Sequence, residues 1–285
     1  MTGVPGTGSP TARRRELGTI LRTMRTQLGL TVEQVASQLL VSPSKISRLE
    51  TGQRGASARD IRDLSNLYRV SDADRQLLDD LAAEAKQRAW WQPLNLPYST
   101  YVGLEADAVS IRDFALGIVP GLLQTADYAR ACMRTSYLHW SEGVMDRRLQ
   151  GRMERRARIL GAGTPSFCAL IDESVLHRVV DSPAVMGAQL MSMHEASFLP
   201  AVTIRVVPFG AGALPAATNK FIILGFGRAT MSDVVYLESL TGELILDREE
   251  DLTVYNDAYR TLSDMAASVE DTRDMLVSAA RGYGQ

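Results

Sequence analysis

Cysteine is scarce in this 285-residue chain, and what little there is carries no pattern. Cys132 and Cys168 stand in no CxxC or Cys/His ligand spacing, which excludes a disulfide framework and a structural zinc site and reads as a reducing compartment. Long apolar runs are missing too. No stretch approaches the roughly 18 uncharged apolar residues of a membrane helix, and Met1 to Pro10 is a Gly/Pro/Thr tail without the apolar core of a signal peptide. A cytoplasmic protein without membrane contact is expected. Catalytic signatures are lacking: there is no GxSxG, no Walker A loop, no HExxH and no GxGxxG after a strand, while His139, His177 and His194 are scattered. No metal, cofactor or enzymatic activity is expected. Asp172 and Glu173 read as a helix start, and a paired-carboxylate mechanism with Glu238 is the enzymatic alternative.

Apolar residues make up 45% of the chain, enough for buried cores, and neither repeats nor long low-complexity segments interrupt it. Its net charge of −2 argues against a nucleic-acid binder only as an average. Arg13 to Val70 carries 11 Lys/Arg against 5 Asp/Glu, a net +6, which leaves −8 for the rest. Such a split suggests one part built for a polyanion and another built for something else.

The first 91 residues read as five short helices in a small all-α domain. Leu17, Ile20, Leu21, Met24 and Leu28 form a helical stripe that Gly29 ends. Thr31 with Gln34 is a capping-box pattern opening a second helix, and Ser42 followed by Pro43 opens a third that Gly52 ends. Ser57 and Ser71 cap a fourth and a fifth. Trp90, Trp91, Pro93 and Pro97 break the pattern, so the expected organisation is a flexible basic arm at 1–15, a DNA-binding domain at 16–91, a linker at 92–100 and a regulatory and dimerisation domain at 101–285. The adjacent tryptophans are expected to pack between domains or subunits. Beyond residue 100 the pattern is α+β. Helices are expected at 100–116, 124–134, 142–160, 173–180, 184–197, 249–267 and 270–281, and strands at 166–171, 202–207, 219–226, 233–239 and 243–247. Phe221 to Leu224 and Val234 to Leu237 are apolar on both faces and should be central strands.

The segment TVEQVASQLLVSPSKISRLETG, Thr31 to Gly52, supplies what two closely crossing helices need: a small Ala36 near the turn and apolar Val35, Leu39, Ile46 and Leu49. In its capped helix, Ala, short turn and Ser-x-x-x-Ile-Ser-x-Leu-Glu-x-Gly it resembles the XRE family, the lambda-repressor and Cro type of helix-turn-helix. That resemblance implies a second helix lying in the major groove of double-stranded DNA, with Ser44, Lys45, Ser47 and Arg48 as candidate readers. Arg48 and Lys45 can reach guanine, or alternatively a phosphate; the serines are less selective. Thr31, Gln34 and Ser42 can serve as caps or bring helix N-termini to phosphate, and Arg54 and Arg59 suit the phosphate backbone or a solvated surface. Arg25 and Glu50 match a structural ion pair of the family. Arg13, Arg14 and Arg15 read as an arm for the phosphates or minor groove, or as an ordinary tail.

After Tyr101, the runs YVGLEADA and VPGLLQTADYAR (Val119 to Arg130), with Arg152 to Leu160, IDESVLHR (Ile171 to Arg178), the Gln189 region, Ile204 to Pro208 and Val235 to Glu238, are similar to an actinobacterial regulator family. Its WhiJ-like, antitoxin-like members join an XRE domain to a C-terminal domain of unknown function. The resemblance implies a transcription regulator, a repressor or antitoxin-like protein, often paired with a small acidic partner encoded nearby. From the residues themselves, Pro120 and Gly121 read as a turn with Thr125 capping the next helix. Arg148, Arg152 and Arg155 fall with Arg147 and Arg158 on one helix side, a face for an acidic partner or for water. Pro208 to Ala217 can cover a small-molecule ligand, with Arg205 and Glu238 as polar walls, or simply connect two strands. A nucleoid-associated homodimer is expected, with DNA half-sites about 34 Å apart or a multiple of that. An enzyme with a fused DNA-binding domain and a protein scaffold are the rival readings.

Overall fold

The computed structural model describes residues 8–94, 96, 98–136, 140–161, 165–215, 219–239 and 242–284. Pro97, His139, Ala216 and Ala217, and the first seven residues of the expected arm, lie outside them. The chain divides into two compact units, one of residues 1–107 with 227–232, the other of 108–226 with 233–285.

The first unit is helical because its short apolar stripes are each fenced by local stop and start signals. Helix α1 (Pro10–Gln27) begins at the Ser9 cap, with Pro at the start where the missing N–H costs nothing. Helices α2 (Val32–Gln38), α3 (Pro43–Glu50), α4 (Ala58–Tyr68) and α5 (Asp72–Glu84) open on Thr31, Ser42, Ser57 and Ser71, and each cap side chain accepts the backbone N–H three residues on. Val35, Ala36, Ile46, Leu49, Ile61, Leu64 and Leu78 join Leu17 and Leu21 in one core. The turn between α2 and α3 is made by Leu40, which takes a left-handed backbone, φ 53°, and is 93% exposed.

Three features depart from expectation. The helix begins at Pro10, so Arg13, Arg14 and Arg15 sit on α1 and not in a flexible arm. Arg13 reaches Glu16 and Glu84, both at 2.7 Å, and Arg14 bonds Thr11. Helix α6 (Ser99–Glu105) follows a short 3-10 turn at Gln92–Leu94 where a linker was expected, and Trp91 is buried inside this unit, 3.1 Å from where a Cβ on Gly103 would lie. Third, residues 227–232 belong here: Thr230 donates to Glu16 at 2.6 Å, and Arg228 meets Asp107 at 3.1 Å and Glu16 at 3.4 Å.

In the second unit, strands β1 (Ser110–Ala115), β2 (Ser166–Asp172), β3 (Val202–Val207), β4 (Phe221–Gly225), β5 (Val234–Ser239) and β6 (Gly242–Leu246) form a six-stranded mixed sheet in the order β3-β2-β1-β4-β5-β6. β1, β2 and β3 run parallel because helices return the chain between them: α7 (Ala126–Ser136) and α8 (Glu142–Gly161), then α9 (Ser174–His177) and α10 (Pro183–Ala196). β4, β5 and β6 are antiparallel. Helix α11 (Glu249–Met265) covers one face, with Tyr259 and Leu262 against Phe114, Leu170, Phe221, Ile223 and Val235. Helix α12 (Val269–Gly282) packs on α10 and β3. The two runs apolar on both faces are interior strands, β4 and β5.

The helix expected at 100–116 is instead α6 followed by β1, a central strand. Tyr101, Leu104, Ala108, Ile111 and Ala115 keep helical spacing across the break, so periodicity alone runs the two elements together. Pairing with β2 and β4 on either side outweighs that local signal.

Candidate nucleic-acid interface

Helix α3 is built to present one polar face. Ile46 and Leu49 go to the core, whereas Ser44, Ser47 and Arg48 are exposed. The Ser42 hydroxyl accepts the Lys45 N–H at 3.2 Å, so this side chain is occupied as a cap. Thr31 and Gln34 form both bonds of a capping box, 2.8 and 3.2 Å, and both stay exposed at the start of α2.

The inner end of α3 is locked to α1. Arg25 donates to Glu50 at 2.6 and 2.9 Å and to the Leu30 carbonyl at 2.7 Å, with side-chain exposures of 12% and 6% for the ion pair. This is the structural pair expected from the resemblance. Two turns earlier on α1, Gly18 lets the backbones touch: a Cβ there would lie 2.5 Å from the Glu50 carbonyl oxygen and 2.6 Å from that of Leu49.

Lys45 differs from its expected role as a reader. Its ammonium sits 2.5 Å from Asp60, the carboxylate that closes the Ser57 capping box of α4. Burial pushes the Asp60 carboxyl up, but the hydrogen bonds from Lys45 and Ser57 outweigh it and hold the group below the usual range. Lys45 therefore couples α3 to α4. Of the expected phosphate contacts, Arg54 is exposed after α3 and Arg59 is 81% exposed, within 3.3 Å of Asp63.

In the second unit the arginine side of α8 is divided: Arg147 and Arg158 are exposed, whereas Arg148 and Arg152 are half-buried and Arg155 is buried. Arg155 is 6% exposed, Arg152 donates to Gln124, and Arg148 lies 3.4 Å over the Trp140 ring. Arg156 bonds Ser192 at 3.0 Å. A basic docking face read from helical spacing is thus in good part an interior one, since guanidinium groups with neutral acceptors and rings can be buried where spacing alone places them outside. Arg205 and Glu238 do not wall one pocket: the register puts them on opposite faces of the sheet, on β3 and β5. Arg205 caps the end of α11, donating to Ala266 at 2.6 Å, Ala267 at 2.8 Å and Ser263 at 3.0 Å. Glu238 pairs with Lys220 at 2.6 Å. Asp172 accepts the Ser174 N–H at 3.0 Å, consistent with its reading as a helix start.

The VPGLLQT run is a buried clasp. Gln124 donates to the Val119 carbonyl at 2.8 Å; Gln189 accepts from Thr125 N–H at 2.7 Å and donates to Leu123 at 2.9 Å; the Tyr128 hydroxyl accepts Val119 N–H. Thr125 caps α7 as expected, its hydroxyl facing the Tyr128 N–H. The part played by Gln189 needed tertiary structure to see, as did Arg228 and Thr230. Among the described residues no group of His, Cys, Asp and Glu could hold a metal, and no helix is long and apolar enough to cross a membrane.

Residues 98–278 match the model of a domain of unknown function, DUF5753. The chain belongs to the DUF5753 family. Ahead of the DUF5753 match, residues 16–78 match a helix-turn-helix domain, the span that holds α2 and α3, and this points to a DNA-binding regulator. No curated protein matches the chain, and no solved structure does.

Proposed function

We propose that this protein is a sequence-specific, XRE-type transcription regulator, a repressor or antitoxin-like protein of the WhiJ-like actinobacterial kind. It acts as a homodimer on the nucleoid in the cytoplasm. In this reading the C-terminal domain is a non-catalytic control element that answers to a partner protein, such as a small acidic one, or to a small ligand. The observation that carries the proposal is the division of α3: Ser44, Ser47 and Arg48 outward and exposed, Ile46, Leu49 and Glu50 buried, on a helix whose start is capped by Ser42. Arg48 is the principal base reader, since its planar fork can take guanine O6 and N7 together, which the exposed serines cannot, and Lys45 is paired with Asp60. Ser44 and Ser47 flank it, while Thr31, Gln34, Arg54 and Arg59 border the phosphates.

Selection of bound sequences from random DNA by the full-length protein, followed by titration of Arg48→Ala on the selected operator and on random DNA, tests this. Loss of a bidentate guanine contact should cost about 1 to 3 kcal/mol on the operator and relax preference at one base position in each half-site. Equal losses on both DNAs would move Arg48 to the phosphate backbone; no sequence preference in the parent protein would sink the proposal.

A further inference from the structure

The loop that follows β3 at Pro208 reaches a second place where ligand chemistry gathers. Between α9 and α12 lies a cavity of about 590 Å³, within the size range of small-molecule sites. Leu176, Met275 and Tyr283 give it apolar walls, and Tyr283 is fixed there by a 2.9 Å hydrogen bond from its hydroxyl to the Leu176 carbonyl. Two carboxylates line it, Glu173 and Asp274, and the described lining contains neither lysine nor arginine. His177 lines it as well, 3.4 Å from Glu173.

The loop closes round the same residues. The Phe209 N–H donates to Glu173 at 2.6 Å, and the Phe209 ring, 59% exposed, stacks on His177 with centroids 5.9 Å apart. Glu173 is thereby held in place at the wall. Asp274, exposed on α12, has no ion-pair partner among the described residues. An anionic lining, apolar walls and aromatic rings open to a ligand are together the means by which proteins bind organic cations, the carboxylates by charge and the rings through their faces.

We infer that this cavity binds a small organic cation, an amine with an apolar body, and that it is the effector site of the control domain. The inference deepens the regulator reading for its effector part, while binding itself is measured without DNA. The ammonium sits between Glu173 and Asp274, and the apolar body lies along Leu176, Met275 and Tyr283 towards Phe209. An anion of the same size is repelled by the same pair.

The test is calorimetric titration of the full-length protein with phenethylamine and, separately, phenylacetate, which share a ring and differ in charge. Phenethylamine should bind saturably with a dissociation constant on the order of 1 mM, as few atoms allow, and phenylacetate should not. Asp274→Asn should weaken phenethylamine about threefold, and Glu173→Gln with Asp274→Asn about tenfold, whereas Asp257→Asn on α11 should leave it unchanged. Both asparagine changes are at exposed positions, and Gln at 173 keeps an acceptor for Phe209, so the variants should fold; unchanged circular dichroism checks this. Equal binding of the two probes, no saturation at about 20 mM phenethylamine, or an unaffected double variant would overturn the inference. Since no DNA is present, a failed operator selection would leave these results standing, and a failed titration would leave operator recognition intact.

Discussion

Glu50→Ala should be the most damaging single charge removal in the helix-turn-helix. The parent pair has two N–H···O contacts of 2.6 and 2.9 Å between groups that are 12% and 6% exposed. At about 3 Å and an effective dielectric of about 20, the gross attraction is about 5 kcal/mol. Most of it offsets the loss of hydration on burial, so the pair itself adds little net stability; the damage comes from leaving Arg25 buried with only the Leu30 carbonyl. Removing one partner of such a pair costs about 3 to 5 kcal/mol, and the remaining bond and slight water access to Arg25 favour the lower end. At about 4 to 8 °C per kcal/mol for a unit of this size, the melting of the first unit should fall by about 12 °C or more. Hydrogen exchange on the full chain can follow α1 and α3 separately from the sheet. Replacing both partners, Arg25→Met with Glu50→Leu, should recover most of the loss, since no buried charge is then stranded. A fall below about 3 °C in the single variant, or a double variant as unstable as the single one, would refute the reasoning.

Gly18→Ala puts a methyl 2.5 Å from a backbone oxygen that cannot swing away, so a loss of about 2 kcal/mol is expected in urea unfolding of the first unit. At the neighbouring turn, Leu40→Gly should raise stability by about 0.5 kcal/mol, because it relieves the left-handed backbone and removes a side chain that is 93% exposed; a lower denaturation midpoint would contradict this. Asp60, held below its ordinary pKa in the folded state, contributes stability that is present above about pH 4 and lost as pH falls through its folded value. Asp60→Asn should therefore destabilise the first unit at neutral pH and flatten its stability curve below about pH 4, read by circular dichroism melts; a parallel shift at every pH would assign the effect elsewhere.

How much could be read without coordinates follows from the range of the forces involved. The helix starts at Thr31, Ser42, Ser57 and Ser71 were legible because a cap is satisfied within three residues. Lys45 and Asp60 are 15 positions apart with a turn between them, so the sequence offered Lys45 as a free cation; only the crossing of α3 and α4 brings the two within 2.5 Å. The same limit hid the inward turn of Arg152, whose acceptor Gln124 lies 28 positions earlier in the clasp, and the burial of Arg155. β1 was illegible for a different reason, since its apolar spacing extends that of α6 and strand character came from partners on both sides.

Residues 227–232 bear on what the helix-turn-helix is as a physical object. Glu16 is a buried carboxylate; burial pushes its pKa up, and bonds from Thr230 and Arg13 with the charge of Arg228 bring it below the ordinary range. Met231, 2% exposed, adds an apolar contact surface from the same short segment. Glu16 precedes Gly18 by half a turn, and Gly18 is where α1 touches the last carbonyl oxygens of α3. The groups that fix α1 are therefore also those that fix the helix carrying Arg48. Two of them, Arg228 and Thr230, come from more than 200 positions away, within the span that matches DUF5753. A boundary drawn from helical patterning near residue 91 encloses every candidate DNA contact and leaves out part of what holds them in place.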